Sequence, residues 1–379
     1  MRGDIVDKKV VLAIVIAAIV VVGVTSAALL LSLGDKGGDV KYLAMAPKDM
    51  KAALATDQVD AYIAWEPYVS DSVVGGVGEV LEWTEDIMPN HPCCVLVIST
   101  EFLAGANGLE LSQRFVKAHV EATEWMADAL ADKEGANYTK LVDMAIGFTA
   151  RNASVVEAAF EHLQFKVEMG SSFDAALEKF TQMYIDLNMT TSDKLDDREY
   201  SSVEDFVDRY VNESFLEAAD GIAPSATILN AGDPIRLGYL LGDLHQMAQV
   251  VAQNSTVTDT GKSLFETYGL EVEDAVGAPF SNGGAEMDGF SGGTVDVGYL
   301  GAPPAILKHL NGGTRTLIAA QANVEGSGLV VGVGSGIESL GDLVNKTVAV
   351  PGPPAETSIQ FLLLMMELED AGLDFVVKT

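Results

Sequence analysis

A chain of 379 residues and 40.0 kDa has room for two lobes of ordinary size with smaller additions, which excludes a minimal scaffold stapled by metals or disulfides. Its 23 basic residues stand against 55 acidic ones, a formal net charge of -32, and such a surface repels nucleic acid and anionic lipid. The 37 glycines and 48% hydrophobic residues fit buried parallel strands on short turns. The two cysteines, Cys93 and Cys94, are adjacent and form neither a disulfide framework nor a spaced metal set, so they read as packing residues near a strand.

Taken in order, Arg2, Lys8 and Lys9 precede an uncharged apolar run at 10–33, long enough to cross a bilayer as a helix. Basic residues before it predict an inside N-terminus and an extracytoplasmic remainder after about residue 34. A cleaved export signal is the competing reading, since Thr25, Ser26, Ala27 and Ala28 are small. Six Asn-x-Ser/Thr acceptors, at Asn137, Asn152, Asn188, Asn212, Asn254 and Asn345, agree with an outside location. A linker at 35–38 leads to a strand at 40–45, a helix at 50–54, a strand at 61–64 and the loop Trp65, Glu66, Pro67, Tyr68. Strands are expected at 80–83 and 93–98, the second entered through Pro89, Asn90, His91 and Pro92. From 109 to 211 apolar residues recur at helical spacing, as in Phe115, His119, Ala122, Trp125 and Met126, and predict a helical block. A loop at 221–234 opens a fresh α/β run, with strands near 235–240, 272–276, 316–320, 328–333 and 347–350, and an apolar helix at 357–369 closes it.

One stretch is used twice. Residues 54–67 lie without a gap over residues 290–303, with Val59-Asp60 on Val295-Asp296 and Pro67 on Pro303. Each copy reads as a helix end, a tight turn, a short buried strand and a loop ending in proline, the unit of a parallel α/β sheet whose strand ends carry ligand loops.

Several phrases resemble the periplasmic-binding-protein-like receptors of the nitrate, sulfonate and taurine type. They are the runs at 46–50, 59–67, 235–240, 269–272, 296–304, 336–343 and 346–352, covering about 40–105 and 230–379. The resemblance implies an α/β, two-lobed fold with mostly parallel sheets, here preceded by one transmembrane helix. It implies an extracytoplasmic receptor that captures a small polar or oxyanionic solute, such as nitrate, bicarbonate, a sulfonate or taurine, for the permease and ATPase subunits of an ATP-driven importer. A membrane-anchored sensory or adhesive domain without transport is the alternative. The order of the halves departs from the family, whose receptors begin with the half found here at 230–379. This predicts either a circular permutation or a piece cut from a tandem pair. On the permuted reading, 1–38 is anchor and linker, 39–104 with 336–379 forms one lobe, and 105–335, with its helical block, forms the other. The chain's tail then passes directly into the strand near residue 40, and the hinges fall near 328–333 and 98–102.

Five loops are expected at the cleft between the lobes. They contribute Asp243 and His245; Ser281, Asn282 and Gly283; Gly301, Ala302 and Pro303; Gly352, Thr357 and Ser358; and, from the repeat, Trp65 and Glu66. Glycines and helix starts offer amides to an anion, Thr357 and Ser358 offer hydroxyl hydrogens, and Trp65 offers a flat wall. None of the loops carries a lysine or arginine, so charge neutralisation falls to amides, helix ends or the ligand itself, and the carboxylates of Glu66, Glu356 and Asp243, which suit an amine or zwitterion, leave the ligand's charge open. No catalytic residue, cofactor or metal is expected. Asp243 with His245, or His91 with Cys93, gives fragments of a site, but sequence alone assembles no nucleophile, base and orienting group, and five histidines are few for a transition-metal site.

Overall fold

The computed structural model describes residues 38–377. The expected membrane segment at 10–33 and the terminal Thr379 lie outside them. Among the described residues no helix is long and apolar enough to cross a membrane.

The strands are β1 (Asp39–Met45), β2 (Ala61–Trp65), β3 (Gly78–Trp83), β4 (Cys94–Ser99), β5 (Gln164–Phe165), β6 (Ile235–Gly238), β7 (Val272–Asp274), β8 (Val297–Gly301), β9 (Thr316–Gln321), β10 (Asn323–Val324), β11 (Ser327–Gly332), β12 (Thr347–Pro351) and β13 (Asp374–Val377). Two main sheets result, one of six strands ordered β13-β1-β12-β2-β11-β3 and one of five ordered β7-β6-β8-β4-β9. Five of their nine pairings are parallel. The antiparallel four all involve β11 or β4. Those two strands are the ones that arrive from the other sheet: the chain crosses between β3 and β4, and back between β9 and β11. A parallel neighbour needs a covering crossover, whereas a strand entering from the opposite lobe can insert antiparallel. Both crossings precede the positions expected from sequence. Consequently β4 sits with β8 and β9, and β11 with β2 and β3, each on the other side of the division anticipated at 104/105 and 335/336.

The repeated unit occupies equivalent places. β2 lies beside the entering strand β11, and β8 beside the entering strand β4. The aligned aspartates do the same structural work: Asp60 accepts the amide of Thr347 (2.9 Å) and the ammonium of Lys346 (3.0 Å), and Asp296 accepts the amide (2.9 Å) and Nε (2.8 Å) of Arg236. Each carboxylate thus ties down the start of a neighbouring strand, where amides would otherwise go unpaired.

Residues 108–219 form the expected helical block. Its longest helix, Gly108–Ala131, buries Leu111, Phe115, Ala118, Ala122, Met126 and Ala129 along one stripe. His119 on that stripe is a core residue, with Nε2 2.9 Å from the carbonyl of Gln321 and Nδ1 3.0 Å from the hydroxyl of Tyr299.

The tail does not run into the head. β13 pairs parallel with β1, Asp39 opposite Asp374 and Tyr42 opposite Val377, so both segments are strands of one sheet side by side. Joining one to the other would require a returning crossover, which corrects the direct continuity expected from sequence.

Candidate functional site

A narrow cleft of about 40 Å³ lies between the two sheets. Of the residues expected there, Trp65, Asp243, His245, Asn282, Gly283, Gly301, Thr357 and Ser358 line it. Ser281 instead lines a neighbouring hollow of about 60 Å³ with Lys48, Tyr68 and Leu241, and Trp65 forms a wall of both. Ala302 and Pro303 are buried in a helix start, and the lining residue beyond Gly301 is Pro304. Gly352 is buried with its amide on the carbonyl of Met45 (3.2 Å). Glu66 points away: its carboxylate accepts from the amide (3.0 Å) and hydroxyl (2.7 Å) of Ser70, and burial raises its pKa to about 7.

Three helices aim their N-termini at the cleft: Gly283–Ser291, capped by Asn282 on the amide of Ala285; Ala302–Gly312, entered through Gly301; and Ile359–Asp370, capped by Ser358 on the amide of Phe361. Their dipoles place partial positive charge there, and the first amides of the outer two have no carbonyl behind them in the helix. The middle helix offers only its dipole, because Pro303 and Pro304 lack amide hydrogens and Ala302 donates to the carbonyl of Cys93 (3.0 Å). The hydroxyl hydrogens expected for a ligand are spent locally: Thr357 donates to the carbonyl of Pro354 and Ser358 to that of Ala355, both at 2.9 Å. One donor stands ready instead. The indole Nε1 of Trp65 is buried with no partner, an arrangement whose cost of roughly 1–3 kcal/mol a ligand acceptor would relieve.

The cleft floor corrects the reading of the cysteines. Cys93 and Cys94 both line it, and Cys93 Sγ lies 3.1 Å from Nδ1 of His245. Nε2 of that ring is 2.9 Å from the carbonyl of Gly326 and donates to it, which leaves Nδ1 facing the sulfur. Gly326 is required for this approach: its φ is +81°, and a Cβ there would meet Nε2 at 2.6 Å. Asp243 caps the loop by accepting the amide of His245 (3.0 Å) and the side-chain amide of Gln246 (3.1 Å), and its carboxylate lies 3.7 Å from Cys94 Sγ. A thiol, an imidazole and an orienting carbonyl are therefore together, contrary to what separate sequence fragments suggested.

The electrostatics follow from contact in a dry place. The hydrogen bond from Cys94, with His245 adding to it against the opposing effect of burial, holds the Cys93 thiol well below the usual range. Burial pushes the Cys94 thiol up. Burial would lower His245, but Cys93 and Asp243 outweigh it and carry the ring to about 9, a thiolate–imidazolium pairing. Asp243 is raised to about 6 by burial.

No sequence signal marked this cluster, because its members are some 150 positions apart. Cys93 lies just before β4, outside the pleat that sends consecutive side chains to opposite faces, and its carbonyl and amide are pinned by Ala302 and Asn323. Gln360, also on the lining, donates to the hydroxyl of Ser327 at the start of β11 (2.9 Å).

A family model described as the NMT1-like family matches residues 17–140. Over 140 residues the chain is 29% identical to proteins named only as binding proteins in Brucella abortus (strain 2308), Brucella suis biovar 1 and Brucella melitensis biotype 1. The match covers 37% of this chain and 38% of each relative, so the chain spans well under half the length of the relatives it matches. No solved structure matches.

Proposed function

We propose that this protein is a solute receptor that takes a small polar or oxyanionic molecule into the cleft and presents it to an ATP-driven importer. The single observation that carries the reading is the cleft itself: between two lobes, helix N-termini meet beside Trp65, whose indole N–H is buried without a partner, where neither lysine nor arginine lines the wall. That is a polar site in which helix-end partial charges stand beside the buried Cys93, His245 and Asp243, suited to a small polar ligand that must also be released. The similarity to a binding-protein family over the N-terminal third supports the same class of function. The mixed α/β architecture, with an inserted strand in each sheet, supports closure of two lobes about two crossings. In this reading residues 10–33 tether the receptor to the outer face of the membrane, beside its permease.

Calorimetry of the purified protein with nitrate, bicarbonate, alkyl sulfonates and taurine tests the ligand class. At least one should bind, and Trp65→Phe, which keeps the flat wall and deletes the donor, should weaken that ligand about fivefold, in keeping with a net hydrogen bond of roughly 1 kcal/mol. Binding confined to large apolar molecules, or none across the panel, would overturn the assignment.

A further inference from the structure

The geometry points to a metal site on the cleft floor: Cys93, Cys94 and His245 form a three-donor pocket for a soft, closed-shell cation of the zinc(II) or copper(I) class. The two sulfurs and a ring nitrogen all lie within 4.8 Å of one another. A tetrahedral ion at thiolate and imidazole bond lengths holds its donors about 3.5–3.8 Å apart, so modest side-chain rotation brings the set to bonding geometry. Two thiolates and an imidazole are soft to borderline donors, a combination that favours zinc or copper(I) over magnesium or calcium.

What surrounds the donors fits the same purpose. The ring of His245 is locked by its Nε2–H on the carbonyl of Gly326, so Nδ1 faces Cys93 and becomes a donor once an arriving cation displaces its proton; metal-bound histidines are characteristically held this way through their other nitrogen. Asp243 lies beside both halves of the set, 3.7 Å from Cys94 Sγ and 3.7 Å from Nδ1 of His245, where its charge would stabilise the cation without a bond to it. All three donors line the cleft, which gives an ion an entry path and leaves a fourth position open toward whatever occupies the space above. The donors lie together on the five-stranded side, at the junction of the lobes: Cys93 ends one crossing, and the carbonyl that orients His245 belongs to the other. A bound ion would therefore tie the loop after β6 to the segment entering β4. The inference stands apart from the receptor reading, since the ion's affinity can be measured with no solute present.

The test uses the full-length protein, reduced and freed of metal by a chelator, titrated with cadmium(II) and zinc(II). Cadmium should produce the ultraviolet thiolate-to-metal charge-transfer band, saturating at one equivalent, with zinc competing and magnesium and calcium inert. Cys93→Ser and Cys94→Ser should each weaken cadmium at least tenfold, and His245→Gln should weaken it while leaving the thiolate band. Circular dichroism and thermal unfolding of the metal-free variants check that they are folded. Should His245→Gln prove misfolded, Gly326→Ala, which displaces the ring, supplies the same loss. No band with the folded, reduced protein, or unchanged affinity after loss of either thiol or of the ring's position, would overturn the site.

Discussion

At the scale of single residues, Glu66 separates burial from ligand binding. Its sequence position beside Trp65 suggested a carboxylate facing the cleft, yet the structure turns it inward to Ser70, fully buried, with a pKa near 7 against an ordinary 4.5. Burial is the chief cause; the Ser70 hydrogen bonds and His245 oppose it, and Glu85 adds to it. Because the folded state keeps this proton up to about pH 7, it binds more protons than the unfolded chain between about pH 4.5 and 7. The group's contribution is therefore fully present below pH 4.5 and is lost as pH rises toward 7. Glu66→Gln keeps the shape and cannot ionise. Its stability relative to the parent should rise across that window and reach an advantage of up to about 3 kcal/mol at pH 8. Urea unfolding at pH 5 and pH 8 measures this, and parallel curves for the two proteins would show that Glu66 does not titrate in this way.

At the scale of elements, the duplicated helix-turn-strand unit was legible because its landmarks are local: Val-Asp before a buried strand, proline after it. What the pattern could not say is that each aspartate works on a different strand, one that starts far away in the sequence. Asp296, with its side chain 9% exposed, should cost about 1.5–3 kcal/mol on change to asparagine, the range for hydrogen bonds to a charged group. Asp60 faces Lys346 at 36% and 42% exposure, and its asparagine variant should cost nearer 1 kcal/mol or less. Equal losses in chemical denaturation would mean that exposure does not govern the two pairs. The same locality explains the rest of the reading. Strand runs such as β2 and β4, apolar on both faces, and the helical block were visible from periodicity, as were the loops carrying Asp243, Asn282, Gly301 and Ser358. The positions of the crossings were not, since β4 and β11 look like any buried strand until their neighbours are known. Nor was the meeting of Cys93 with His245, which depends on a loop, a crossing and the carbonyl of Gly326 coming together in three dimensions.

At the scale of the whole molecule, the lobes are drawn together by a few polar contacts outside the cleft. Arg151, after the helix Ala136–Thr149, pairs with Asp71 at 2.8 Å and lies over the ring of Tyr68. The hydroxyl of Tyr68 donates to the carbonyl of Leu241 at 3.1 Å. Asp71 and Tyr68 belong to the helix Tyr68–Val74 that covers the six-stranded sheet, whereas Arg151 and Leu241 lie with the five-stranded one, so these contacts bridge the two. An ion pair about a quarter exposed contributes on the order of 1 kcal/mol, enough to bias an opening equilibrium severalfold without holding it shut. The cysteines supply a readout that needs no ligand, because Cys93 and Cys94 are 2% exposed here and line the cleft. In reduced, metal-free protein, Arg151→Gln should speed thiol modification by a small aromatic disulfide about two- to fivefold with little change in global stability. The effect should fade in the parent as salt is raised, since screening weakens the same pair. If Arg151→Gln left the labelling rate unchanged, the thiols would be reached by local motion of the floor, and closure of the lobes would not be controlled by this clamp.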